Sequence, residues 1–171
     1  MNLDVGSVVM YPSQGPCLIG SVVEKEVAGI PISFYRLSLL DDRGGELFVP
    51  VEKVKDVGLR PLLKRSEIPR LLAQLMNPSQ IEKGWKQRAQ DNLKLLTSGS
   101  AFDLAEIVES LTALNESKPL SLRESWMLEK AKRLLVCEVS VVLGKTKIAA
   151  EEQIDKILSA RKMANVGAGV V

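Results

Sequence analysis

The chain changes texture at Pro61. Before that point, short stretches rich in β-branched and aromatic residues alternate with tight-turn signals. After it, apolar residues recur at helical spacing almost to the end. Such a break permits few architectures: a strand-built unit followed by a helix-built one, with each unit burying its own apolar face. The 171 residues suit one or two small domains, and a hydrophobic fraction of 46% supplies enough apolar surface for their cores.

Within the first third, residues 6–12 read as a strand ended by Pro12, followed by the turn Ser13-Gln14-Gly15-Pro16. Residues 17–26 read as a second strand, leading to Ala28-Gly29. A third spans 32–40 and carries Phe34, Tyr35, Leu37 and Leu39. Asp41-Asp42-Arg43-Gly44-Gly45 is a hairpin turn, because its glycines supply the positive φ angles that tight hairpins need. Residues 46–51 return as a strand that Pro50 confines to an edge or an end. A last extended piece covers 57–61. Several short strands at this spacing predict a small antiparallel β-barrel.

About five helices are expected beyond Pro61, which makes the fold class α+β. Ser66-Glu67-Ile68-Pro69 starts a helix that Asn77-Pro78 ends near Met76. A second helix runs from Ser79, with Glu82 completing a capping box, to a stop at Gly99. Ser100 caps a third, with Leu104, Ile107, Val108 and Leu111 on one face, and 115–120 form a loop. Ser121 and Glu124 make another capping box, opening a helix closed by Gly144. A final helix covers 149–163, and 166–171 read as a loose tail.

Trp85 stands out in the second of these helices. Lys83 precedes it, and Lys86 and Arg88 follow. A flat apolar ring among cations at a helix start fits contact with a nucleic acid, where aromatic faces stack and cations meet phosphate. The competing reading packs Trp85 into the core as part of a stripe with Ala89, Asn92, Leu93 and Leu96, solid from Leu93 onward. Trp126, early in the Ser121 helix, is expected to be partly buried against the preceding loop. Lys130, Lys132 and Arg133, interleaved with Glu124 and Glu129, read as a solvated face.

Composition narrows the chemistry. Net charge is +2 and the isoelectric point is near 8.5, so any DNA contact is local and modest. The chain lacks histidine, the commonest general base and metal ligand, and has no Gly-rich phosphate loop or nucleophile elbow. The acid pairs Asp41-Asp42 and Glu151-Glu152 fall in a turn and near a helix start. No enzyme activity, metal or cofactor is therefore expected. Cys17 and Cys137 lie far apart and read as free thiols of a reducing cytosol. No signal peptide is expected after Met1, and the apolar run 134–143 is too short for a membrane span.

Residues 1 to about 163 resemble the CarD/CdnL family of bacterial transcription regulators. The resemblance rests on residues 5–12 with Gly15, the hairpin leading to Phe48-Val-Pro-Val, the Val57-Gly-Leu-Arg junction, Gly84-Trp85-Lys-Gln-Arg88, Leu96-Thr-Ser-Gly99 and residues 120–133. It implies a Tudor-like barrel over 1–61 that docks on the RNA polymerase β subunit by edge-strand pairing and charged contacts. It also implies a helical DNA-binding domain over 62–165 and a tail over 166–171. Trp85 would enter the minor groove at the upstream edge of the melted bubble, with Arg88, Lys86 and Lys83 beside it. Lys25 and Phe48 would meet the polymerase, Phe48 standing where some relatives carry arginine. Gln87 and Gln90 stand where relatives often carry cations. A monomer acting on promoter DNA with the sigma-bound holoenzyme, in the cytoplasm at the nucleoid and away from membranes, is the implied setting. An adaptor with no direct DNA contact is the alternative.

Overall fold

The computed structural model describes residues 3–41, 43–77 and 84–168, with side chains as far as Ala164. Two compact units divide the chain, Met1–Leu62 and Leu63–Val171.

The first unit is an antiparallel sheet of β1 (Val8–Tyr11), β2 (Gly15–Val27), β3 (Ile30–Leu39), β4 (Glu46–Pro50) and β5 (Arg60–Pro61), in the order β4-β3-β2-β1-β5. Short helix α1 (Val54–Val57), after a 3₁₀ turn at Val51–Lys53, fills the gap between the two expected extended stretches and overlaps them only at Val51 and Val57. Val9, Cys17, Ile19, Leu37 and Val49 are buried on one face of the sheet, with Tyr35 and Leu47 packed against them.

β2 and β3 form a long hairpin. Its two-residue turn, Ala28-Gly29, has positive φ at both positions (52° and 80°), the twist that suits right-handed strands. Ile19 pairs Leu37, but Ser21 already pairs Arg36, so Gly20 is an extra residue. Side chains alternate along a strand, and one inserted residue reverses the assignment of all that follow. Beyond this bulge Ser21, Val23, Lys25 and Val27 therefore share the outer face with Ile30, Ile32, Phe34 and Arg36. Val22, Glu24 and Glu26 share the opposite face with Tyr35 and Ser33.

The second unit contains α2 (Ile68–Met76), α3 (Trp85–Ser98), α4 (Ala101–Ser117), α5 (Leu122–Leu143) and α6 (Lys147–Ala168). Leu71 and Leu75 of α2, Leu104, Ile107 and Leu111 of α4, Met127, Leu135 and Val139 of α5, and Ile154 of α6 build its core. Glu138 interrupts the apolar run of α5 and is fully buried, accepting a hydrogen bond from the Leu63 amide at 3.0 Å. Arg161 of α6 is also buried and donates to the Glu109 carbonyl at 3.1 Å, with the Glu109 carboxylate 3.7 Å away.

Four helix ends in this unit differ from expectation. Gly84 is extended (φ −58°, ψ 152°), so α3 starts at Trp85; glycine is costly inside a helix but acceptable just before one. The Ser79 and Glu82 capping box lies outside the described residues. α4 continues to Ser117, through part of the expected loop. α6 starts two residues early, where the Thr146 hydroxyl accepts from the Ala149 amide. It also runs on to Ala168, into the span expected as a tail, because 162–164 are good helix formers that carry the ladder forward.

Candidate nucleic-acid and polymerase interfaces

Trp85 is the first helical residue of α3, and 68% of its surface is exposed. The core reading of this residue fails. The buried positions of α3 are Asn92 and Leu96, with Arg88 one turn before them on the same side, while Leu93 is exposed. The stripe points inward one residue away from the phase that an apolar count alone suggests, because polar Asn92 occupies an inward position. The Asn92 Nδ2 atom finds no hydrogen-bond partner among the described residues. Lys86 lies beside the tryptophan, its Nζ 5.5 Å from the ring centroid. Lys83 lies outside the described residues.

Arg88 faces the other way. Its Nε donates to Glu124 Oε1 at 2.7 Å and its Nη2 lies 2.6 Å from the same oxygen; the two side chains are only 17% and 15% exposed. The second carboxylate oxygen of Glu124 accepts from the Ser121 amide and hydroxyl, and the Glu124 amide donates back to the Ser121 hydroxyl. One carboxylate thus joins the first turn of α3 to the capping box of α5. Partial burial pushes the Glu124 pKa up. The hydrogen bonds from Arg88 and Ser121, with the Arg88 charge, outweigh that and hold the carboxyl below its ordinary range.

Trp126, on α5, is half exposed, and Lys130 four residues on places its Nζ 5.1 Å from the ring centroid. The ring is thus partly covered, as expected, and a cation from its own helix lies over it. Lys132 is held by Asp155 at 2.6 Å.

In the first unit, Phe48 points outward from edge strand β4 and is 40% exposed, while its neighbour Val49 is buried. Lys25 reaches across β3, and its Nζ lies 3.6 Å from the Phe48 centroid. The bulge at Gly20 is what puts Lys25 on that face. Around the pair stand Val23, Ile32 and Phe34, partly buried, and Val27 and Ile30, exposed at the hairpin tip. Arg36 on the same face is ion-paired with Glu46. The result is a continuous apolar sheet face with a cation above its aromatic. Nothing in the sequence around Lys25 signals this face, because it depends on a register shift.

Among the described residues no group of acids and cysteines could hold a metal ion. No helix among them is long and apolar enough to cross a membrane.

The family models for "CarD-like/TRCF RID domain" and "CarD, C-terminal domain" match residues 3–63 and 70–155, the second alone covering half of the chain. The chain belongs to the CarD family. It is similar to YdeB of Bacillus subtilis (strain 168), with 26% identity over 156 residues, 83% of this chain and 93% of YdeB. It is also similar to the 72-residue N-terminal domain of Myxococcus xanthus CarD, solved by NMR. That match is 37% identical and covers 35% of this chain and 79% of that one, with a TM-score of 0.30. CarD-family membership makes this chain a transcription-associated regulator that interacts with RNA polymerase, in a family whose domains are generally non-catalytic.

Proposed function

We propose that this CarD-family protein bridges the RNA polymerase β subunit and promoter DNA and stabilises the open complex. The observation that carries the reading is the exposed Trp85 ring at the start of α3, with Lys86 beside it. A helix of this kind gains nothing in folding from presenting a tryptophan to water, and a partner that covers the ring repays its exposure.

At the upstream edge of a melted bubble the bases are already partly unstacked. An inserted ring there avoids much of the unstacking cost, a few kcal/mol per step within a duplex. Stacking returns roughly 1–3 kcal/mol per base. Lys86 and Lys83 hold phosphates and set the position without reading sequence. The outer face of the sheet unit, centred on Phe48 and Lys25, docks on the β subunit, and edge strand β4 offers its free backbone groups to a partner strand. The protein acts as a monomer on the sigma-bound holoenzyme, at the bacterial nucleoid in the cytoplasm.

The test is open-complex lifetime on a promoter with matched polymerase. Wild type prolongs it. Trp85→Ala still binds polymerase but no longer prolongs it, and Lys25→Glu loses both binding and effect. A wild-type protein that neither binds polymerase nor alters lifetime defeats the reading. If Trp85→Ala is as effective as wild type, the DNA half fails and the adaptor alternative takes its place.

A further inference from the structure

We infer that Arg88 is not a phosphate ligand but a positioning residue, which fixes the start of α3 against α5 through Glu124 and so aims the Trp85 ring. The inference rests on the proposed DNA role of Trp85 and deepens it.

The geometry separates two kinds of cation near the tryptophan. Lys86 is exposed and accompanies the ring. Arg88, three residues after Trp85, is mostly covered, and two of its guanidinium nitrogens converge on one carboxylate oxygen. To meet a phosphate it would have to leave Glu124, stranding a partly buried carboxylate whose remaining partners are the amide and hydroxyl of Ser121. Losing one partner of such a pair is costly, because the other charge stays poorly solvated.

Helix starts are where a positional anchor is needed. The first amides of a helix have no partner within it, so the first turn is the part most prone to fray. Gly84, directly before Trp85, has no side chain to hold the backbone, and among the described residues no side-chain cap bond is made to the start of α3. The Arg88 tether supplies what the cap lacks. Its anchor is itself fixed: Glu124 stands at the third position of α5, locked into the Ser121 capping box. Trp85 therefore lies within one helical turn of a contact 36 residues away in sequence, and that contact sets its orientation.

The variant that discriminates is Glu124→Gln. Glutamine still serves the capping box, so α5 keeps its start, but the charge that holds Arg88 is gone. If Arg88 positions Trp85, Glu124→Gln lowers affinity for a forked duplex. If Arg88 contacts phosphate, the same change releases the cation, removes a nearby negative charge and raises affinity. The two roles predict opposite signs.

Full-length wild type, Trp85→Ala, Arg88→Gln, Arg88→Lys, Glu124→Gln and the Arg88→Gln/Glu124→Gln double variant would be titrated against a fluorescein-labelled forked duplex over a range of NaCl concentrations. Thermal melts would accompany the titrations. Arg88→Gln and Glu124→Gln each lower affinity about tenfold, as when the competent orientation falls to about a tenth of the population. The double variant is no worse than either single one. Arg88→Lys also binds less well, because ammonium cannot reproduce the planar fork. The salt dependence of binding keeps its slope in all of them.

Tighter binding by Glu124→Gln, or a slope reduced by about one for Arg88→Gln, overturns the positioning role and leaves the Trp85 reading intact. Unchanged binding by Trp85→Ala overturns both. Should Arg88→Gln melt far below wild type, the sign of the Glu124→Gln effect and the affinity of Arg88→Lys, which a phosphate ligand would largely keep and a positioning fork would lose, decide the matter.

Discussion

Replacing Trp85 with alanine should barely alter folding. About a third of the side chain is covered. For a residue of roughly 250 Å² that is about 80 Å² of contact, at most about 2 kcal/mol at 25 cal/mol per Å². Alanine keeps the β-carbon, and the extended-chain reference overstates burial, so about 1 kcal/mol is the better figure. Alanine's higher helix propensity returns part of that, roughly 0.5 kcal/mol. Loss of the Lys86 contact at 5.5 Å adds no more than about 0.5–1 kcal/mol at an exposed site. The net loss is about 1 kcal/mol, against about 3–5 kcal/mol for a tryptophan truncated in a core. Urea unfolding followed by circular dichroism would read the difference, with Leu135→Ala, fully buried in α5, as the core control costing about 2–5 kcal/mol. A Trp85→Ala loss approaching that of the control would refute the placement of the ring in solvent. It would also make any shortened open-complex lifetime uninterpretable as a DNA effect.

The remaining expectations concern the other sites. Phe48→Ala should lower stability by about 1–2 kcal/mol, because more than half of the residue is covered and the Lys25 contact is lost, and should weaken binding of a purified β-subunit fragment roughly tenfold, since aromatic anchors dominate interface energy; equal affinity in calorimetry would remove Phe48 from the docking face. Burial, with the Asp41 charge second, pushes the Cys17 thiol up to about 12, so it should resist a thiol reagent in the native state and react only on unfolding. That raised value also stabilises the fold below the thiol's ordinary value of 9.0, a contribution lost as pH rises from there towards 12. Glu124, held below its ordinary 4.5, contributes stability fully present above that pH and lost as pH falls through the native value. Wild type should therefore lose more stability than Glu124→Gln on acidification below pH 4.5, and parallel curves would contradict the pairing.

Much of this was readable from residue types alone, where local chemistry decides. The Gly44-Gly45 turn, the Ser121 and Glu124 box and the Gly144 stop all rely on neighbours within a few residues. Other features depend on partners far away. α1 is four residues long, too short to impose a periodicity. Ala28 adopts a left-handed backbone that its identity does not announce. Asn92 faces inward although it is polar, which shifts the apparent phase of α3. For the candidate sites, a lone aromatic among cations marked Trp85, whereas the partner of Arg88 lies across 36 residues and leaves no local trace. Lys25 and Phe48 were each legible singly through family resemblance; their stacking was not, because a single inserted residue decides which face Lys25 occupies.

That inserted residue, Gly20, makes the hairpin a reversible signboard. Drawing Gly20 into the ladder opposite Arg36 would slide the rest of β2 by one residue, turning Val22, Glu24 and Glu26 to the outer face in place of Val23, Lys25 and Val27. The composition and net charge would be unchanged, yet the face would show an acidic strand where it had shown a basic one. The two-residue turn at Ala28-Gly29 opposes that slip, because the shifted register would leave Val27 as a third, unpaired turn residue.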